Sequence, residues 1–298
     1  SLGFSSYMDN LGEVENRGYE LSLRATLIRN QAKKIFWSIN GSAIHNKNKL
    51  LKISNALKAY NEIQDKEADA NKNDFSTSEW ENMTSINRPR VRYVEGASMN
   101  SIWVNHSLGI DPATGNELFT DRNGRIVSDW SSDNYVIGGC TDPDLEGIFG
   151  TNFTWKGLSL NMTFRYRIGG QMYNQTLVDK VQDIDPRYNA DKRAFEQRWQ
   201  KPGDKVRFAA FSEDSQGINI GYRTKPTSRF VEDYNYLELA TLNFSYEFGT
   251  AKLKRYGIKR LKAMFYMNDV FHASNVKQER GIDYPFARNF SIGLQARF

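Results

Sequence analysis

Apolar and polar residues alternate one for one over seven stretches of this chain. The first sets Tyr19, Leu21, Leu23, Ala25 and Leu27 against Glu20, Ser22, Arg24 and Thr26. Successive side chains of a strand point to opposite faces, so such a stretch reads as a strand with one apolar and one polar face. The second sets Trp37, Ile39, Gly41 and Ala43 against Ser38, Asn40 and Ser42, with Ile35 and Phe36 leading in. The third carries Phe149, Thr151, Phe153 and Trp155. The fourth carries Leu158, Leu160, Met162, Phe164, Tyr166 and Ile168, against Asn161, Arg165 and Arg167 on its polar face. The fifth has Leu242, Phe244, Tyr246 and Phe248. The sixth has Leu261, Ala263, Phe265 and Met267. The last runs Phe290, Ile292, Leu294, Ala296 and Phe298 against Asn289, Ser291, Gly293, Gln295 and Arg297.

Two local features test this pattern. Lys156-Gly157 is a two-residue turn, which makes Trp155 and Leu158 a facing pair; both belong to the apolar set. Leu237 and Leu239 stand in the opposite phase to Leu242. A bulge near Ala240-Thr241 restores them to one face, as does a strand whose upper part stands above a bilayer.

The connections alternate in length. Short ones fall at 29–34, 156–157 and 249–258, and long ones at 48–145, 170–235 and 272–286. Membrane barrels have this habit: alternating strands of about 9–11 residues, short turns on one side and long loops on the other. The expected fold is all-β, an antiparallel transmembrane β-barrel segment of about seven strands with long extracellular loops, spanning 1–298 as one unit. Single-chain bacterial barrels have an even number of strands, so seven are expected to be part of a larger barrel. Residues 98–109 read as a further extended piece outside the membrane.

Composition changes the picture little. Mean hydropathy is −0.64, yet 13% of residues are aromatic, more than a disordered chain carries. No stretch approaches the roughly 18 consecutive apolar residues of a membrane helix. The N-terminus shows neither a signal peptide nor an initiator Met, and Ser1 is expected to be a cut within a longer protein. Net charge is +5, with the densest cations at 252–262. No zinc-finger or helix-turn-helix pattern accompanies them, so no nucleic-acid partner is expected. The single cysteine, Cys140, excludes an intramolecular disulfide.

Candidate chemistry is sparse. His45, His106 and His272 lack metal-ligand spacing. No GxSxG, HExxH or P-loop occurs, and no carboxylate pair stands out, so neither an enzyme nor a resident cofactor is expected. Asp111-Pro112-Ala113-Thr114-Gly115 and Asp121-Arg122-Asn123-Gly124 read as turns, with calcium in the outer loops the weaker alternative. Trp103, Trp130, Tyr135, Trp199, Phe208 and Phe211 fall in the long loops, where aromatics either stack on a ligand or pack the loops together. Trp37, Trp155, Tyr166, Tyr246 and Phe248 lie near strand ends on the apolar face and suit an interfacial girdle. Asn161, Arg165, Arg167 and Gln295 would line a wet lumen.

A series of motifs carries a resemblance. In order they are Gly12-Glu13-Val14-Glu15-Asn16-Arg17-Gly18-Tyr19-Glu20-Leu21-Ser22-Leu23, Asn46-Lys47-Asn48-Lys49-Leu50-Leu51, Gly109-Ile110-Asp111-Pro112-Ala113-Thr114-Gly115 and Trp155-Lys156-Gly157-Leu158-Ser159-Leu160. Gly169-Gly170-Gln171-Met172-Tyr173-Asn174, Trp199 followed by Lys201-Pro202-Gly203-Asp204, and Tyr236-Leu237-Glu238-Leu239 complete the series. In this order and spacing the chain resembles the C-terminal barrel region of SusC/RagA-type TonB-dependent transporters of Bacteroidetes. Asn268-Asp269-Val270-Phe271 departs from the family's usual Asn-Leu-Phe, and Glu238 replaces its usual basic residue. The resemblance implies a 22-stranded barrel, import of oligosaccharides or peptides, a SusD-like lipoprotein partner and energy from TonB through a plug. It also implies recognition of Phe298 by the outer-membrane assembly machinery. A soluble β-rich glycan-binding module alternates in the same way, but lacks a reason for the turn and loop asymmetry. A siderophore-type receptor is the other alternative.

Overall fold

A computed structural model describes residues 12–70, 87–184, 190–213, 219–220, 224–249, 253, 255, 257–277 and 288–298. Seven long strands form one sheet: Gly12–Asn30, Ile35–Ile53, Leu145–Trp155, Leu158–Ile168, Tyr236–Phe248, Arg260–Ser274 and Phe290–Arg297. They are named first to seventh below. Each lies beside its neighbour in chain order, and every pairing is antiparallel. Among the described residues the first and seventh strands each have one neighbour, so both sheet edges are open.

The register carries one apolar face across all seven strands. Ala25 pairs with Ile39, Ile39 with Thr151, Thr151 with Met162, Met162 with Leu242, Leu242 with Met267 and Met267 with Phe290. One row away, Phe153, Leu160, Phe244, Phe265 and Ile292 align in the same way. Aromatic rings touch along this face; Phe149 stacks on Phe164 with centroids 4.7 Å apart. Even so, the face is uncovered: Leu21, Leu23, Ile292 and Leu294 are 66–74% exposed. So large an apolar surface on a water-facing sheet would drive association, and its natural solvent is lipid. The fourth strand has 11 residues. At ~3.4 Å per residue and a tilt of ~40° it rises about 28 Å, close to the ~25 Å apolar band of such barrels.

The bulge expected near Ala240 is present. The register shifts between Leu239 and Thr241 against both neighbours, so Leu237 and Leu239 rejoin the face of Leu242. Trp155 faces Leu158 across a turn in which Lys156 and Gly157 both have positive φ, the geometry of a type I′ hairpin.

Two strand ends and one helix differ from the sequence reading. The second strand runs on to Ile53, inside the stretch expected to be the first long connection, because the first strand keeps pairing with it up to Gly12. The sixth strand likewise reaches Ser274, where it pairs with Tyr236. A helix, Asn55–Ala70, was not expected. Ser54 caps it, accepting from the Leu57 amide at 3.2 Å. It docks through polar contacts: Asn61 bonds the Tyr93 backbone twice, and Asp69 accepts from the Ser132 amide and hydroxyl. Residues 98–109 do form strands outside the main sheet, at Ser101–Asn105 and Ser107–Ile110.

Candidate functional site

The three long connections emerge from one end of the sheet, and their described parts pack into an assembly with its own core. Leu177, Val178, Val181, Ile184, Ala194, Phe208 and Phe230 are buried together. Beside them Arg198 is 2% exposed. Its guanidinium donates to the carbonyls of Ala194, Val181, Gln182 and Ala209 at 2.6–2.9 Å and lies 4.2 Å from the Phe211 ring centroid. One buried cation thus gathers the loose carbonyls of three segments, which is how an irregular loop satisfies its backbone away from water. Burial pushes its pKa down to about 10, and it stays charged.

Among the links between the first and second long connections, two bear on the sequence motifs and the buried charges. Glu117 is 1% exposed. It accepts from Ser107 Oγ and Thr227 Oγ1 at 2.5 Å and from Arg229 Nη2 at 2.8 Å. The second fastening joins two of the sequence motifs. The Trp199 indole donates to the Pro112 carbonyl at 2.9 Å, the Ala210 amide to Gly115 and the Gly203 amide to Pro112. Gly115 has φ +77°, and a β-carbon there would lie 2.6 Å from the Trp199 ring. The Gly-Gly-Gln motif has a similar duty: Gln171 accepts from the Cys140 amide and donates to Asp233.

The loop aromatics therefore lie inside. Trp103, Trp130 and Phe208 are 9%, 7% and 1% exposed, and the Trp130 indole donates to the Pro226 carbonyl. Tyr135 packs edge-on against Trp130, and burial raises its pKa. Trp199 and Phe211 are half-buried, engaged with Pro112 and Arg198. The reason is the assembly's need for an apolar core of its own, and little aromatic surface is left to a ligand. The turn carboxylates are also committed. Asp111 accepts from the Ala113 amide and the Thr114 hydroxyl; Asp121 accepts from the Arg125 and Asn123 amides and from Arg125 Nε. These bonds hold both carboxyls below their ordinary pKa.

Two cavities open where the loops meet the sheet. One of about 370 Å³ is lined by Arg193, Arg207 and Lys277 and by Glu232, Asp233 and Asn174. Arg207 pairs with Glu232 at 2.6 Å. The other, about 300 Å³, lies among Asn46, Asn48, Ser98, Asp142, Asp144 and Gln171. Asp183 is buried nearer the loop core, bonded by the Thr224 amide and hydroxyl, and burial pushes its pKa up to about 7. Among the described residues no three His, Cys, Asp or Glu gather as a metal site.

The residues expected to face a lumen all lie on the polar sheet face. Asn161 pairs with Asn152 and Asn243, forming a row of amides. Arg165 reaches Glu238 at 3.7 Å, and Gln295 sits opposite Lys262. Arg167 is more occupied: it donates to the Thr141 carbonyl and lies 5.4 Å from the Tyr234 ring centroid. The expected girdle residues lie on the apolar face, Trp37, Trp155, Tyr246 and Phe248 toward the short turns and Tyr166 toward the loops. Trp37 donates to Thr151 Oγ1, and the Tyr166 hydroxyl to the Ser42 carbonyl. Phe298 follows the seventh strand and is 74% exposed. Arg198, Glu117 and Arg229 escaped the sequence reading, and Asp183 reads there as a solvated loop carboxylate, since a loop charge normally is; only the position of Arg198 beside Trp199 hinted otherwise.

An antiparallel sheet with one continuous apolar face and a loop assembly at one end defines a segment of transmembrane β-barrel. No family model matches the chain. In sequence it is similar to TonB-dependent receptor P39 of Formosa agariphila, 24% identical over 99% of the chain and 31% of that receptor. It is also similar to TonB-dependent receptor P3 of the same organism, 26% identical over 99% of the chain and 30% of that receptor. In fold it matches the RagAB peptide transporter, with a TM-score of 0.67, 19% identity, and cover of 99% of this chain and 30% of that one. The likeness is in sequence to TonB-dependent receptors and in fold to the RagAB peptide transporter, and the chain spans about a third of the relatives it matches.

Proposed function

We propose that the chain is a wall-and-loop segment of an outer-membrane TonB-dependent transporter, not an enzyme. The observation that carries this reading is the apolar face, kept in register across seven strands, with the bulge at Ala240 returning the fifth strand to it. The apolar face meets lipid, and the polar face, with Asn161, Arg165 and Gln295, borders an aqueous lumen. Open edges in hydrocarbon cost several kcal/mol per unpaired group, so further strands of the same protein close the barrel. A plug engaging TonB lies in the rest of that protein. A SusD-like lipoprotein covers the loops. The exposed Phe298 is the contact for the assembly machinery.

Of the two substrate classes, peptides fit better than oligosaccharides. Of the six loop aromatics Trp103, Trp130 and Phe208 are buried and Tyr135, Trp199 and Phe211 half-buried, which leaves little open ring surface for a sugar, while the larger cavity sets Arg193, Arg207 and Lys277 beside Glu232 and Asp233. These charges are already engaged within the protein, Arg207 with Glu232 and Arg193 with Asp191, each at 2.6 Å, and a zwitterionic peptide would bind by exchanging into such pairs. The chain's likeness in fold to RagAB, a peptide transporter, is consistent with this reading. The test is uptake by cells expressing the whole receptor, with labelled oligopeptides and labelled oligosaccharides supplied separately. Energy-dependent accumulation of peptide alone is expected. Release of the receptor from membranes by carbonate without detergent would end the barrel reading, and accumulation of oligosaccharide alone would end the peptide reading.

A further inference from the structure

The apolar face ends abruptly at the loop side, and what replaces it is cationic. On the first two strands Tyr19 pairs with His45, Arg17 with Lys47 and Glu15 with Lys49, all on the same sheet face as Leu21, Leu23 and Ala43. The Tyr19 and His45 rings stack with centroids 5.0 Å apart, and His45 Nδ1 lies 2.6 Å from the Asp144 carbonyl oxygen. Amphipathic rings of this kind settle at headgroup level.

The heights agree. On the second strand eight residue steps separate Trp37, opposite Ile28 near the short turn, from His45, opposite Tyr19. At ~3.4 Å per residue and ~40° tilt they span about 21 Å, most of the apolar band. The Arg17, Lys47 and Lys49 rows then stand within about 10 Å above its upper edge, facing outward rather than into the lumen. The Arg17 side chain is 78% exposed and meets Glu15 at 2.6 Å. Lys47 and Lys49 are exposed and enter no ion pair among the described residues. Glu15 is the one carboxylate in these paired rows, against three cations; Lys47 also borders the cavity that holds Asp142 and Asp144.

We propose that Arg17, Lys47 and Lys49 form a docking patch for the phosphate groups of lipids in the leaflet nearest the long loops. The inference rests on the membrane placement proposed above and goes beyond transport: the patch binds the membrane's own anionic headgroups. Lysine suits the task as a point charge for phosphate. The occupant is a lipid rather than a soluble anion because the cations sit directly over the apolar band, where a headgroup and its acyl chains are met together.

The test uses the whole receptor, purified in detergent, with diphosphoryl lipid A as the probe and native mass spectrometry as the readout. A cation at a membrane surface is worth about fivefold in binding, so Lys47→Gln with Lys49→Gln is expected to weaken lipid A retention about thirtyfold. Lys47→Arg with Lys49→Arg is expected to keep it. Lys58→Gln, on the helix above, is expected to leave it unchanged. Dephosphorylated lipid A should bind the parent as weakly as the phosphorylated form binds the double Gln variant. Equal retention by parent and double Gln variant would overturn the patch, as would full displacement by millimolar inorganic phosphate, which would make the occupant a soluble anion. A receptor that stays dispersed without detergent would instead overturn the membrane placement itself.

Discussion

Removing the Glu117 carboxylate isolates the fastening between the first two long loops. In Glu117→Ala the buried Arg229 guanidinium, 9% exposed at its side chain, loses its ion-pair partner, and the Ser107 and Thr227 hydroxyls lose their acceptor. Breaking a buried pair from one side costs about 3–5 kcal/mol, because a charge is left without compensation. Arg229 keeps its bonds to Gln182 Oε1 and the Arg207 carbonyl, which puts the loss near the lower figure, about 3 kcal/mol. The cost falls on the loops and not on the sheet, since every partner lies in the two connections. Hydrogen exchange of the whole receptor should therefore show amides around 106–120 and 224–230 exchanging roughly a hundredfold faster, with the seven strands unchanged. Adding Arg229→Met should recover much of the protection by removing the stranded charge. Unchanged exchange in the single variant, or acceleration spread equally over the strands, would refute the reasoning.

Three further outcomes follow from other parts of the molecule. Gly115→Ala forces a β-carbon to within 2.6 Å of the Trp199 ring at φ +77°, and should cost at least about 1–2 kcal/mol of local stability, read as a red shift and easier quenching of tryptophan fluorescence. Asp183, with its pKa pushed up to about 7 from 3.8, binds a proton in the folded loops that it would release when they open. Stability of that segment is thus greatest below pH ~4, falls as pH rises through ~7 and is flat above, a span of about 4 kcal/mol. Hydrogen exchange over 174–184, corrected for intrinsic rates, should show more protection at pH 5 than at pH 7.5, and Asp183→Asn should abolish the difference. Met162→Arg places a charge mid-band on the apolar face and should cost about 2–4 kcal/mol of barrel stability, whereas the neighbouring Asn161→Arg should cost almost none; equal losses in a urea titration of folded receptor would contradict the assigned faces.

The sheet was legible because period 2 is a local property: each strand writes its own two faces, and the Trp155–Leu158 pair tied two strands together without outside information. The helix Asn55–Ala70 was not, although Ser54 and sixteen residues free of Gly and Pro were available as signals. It docks by Asn61 and Asp69 rather than by an apolar stripe, so the periodicity that marks most surface helices is weak. The loop assembly was the least legible part. Its tryptophans look the same in sequence whether they stack on a ligand or fill a core. The burial of Arg198 depends on carbonyls from segments more than ten residues away.

The bulge at Ala240 shows how the two kinds of information meet. Read alone, the stretch from Tyr236 to Phe248 changes phase and would turn Leu237 and Leu239 to the polar face. The fourth strand keeps a single phase through all eleven residues, so its Phe164 and Tyr166 present apolar partners at that height. The sixth strand offers Phe271 and Ala273 there. With both neighbours in one phase, a fifth strand without a bulge would set Leu237 and Leu239 among Arg165, Arg167 and His272 on the polar face. Skipping one residue turns both leucines to lipid and leaves Glu238 on the polar face, 3.7 Å from Arg165 and 3.9 Å from His272. The phase slip visible in the sequence therefore places an acid opposite a base in the wall of the proposed lumen while keeping the outer face apolar.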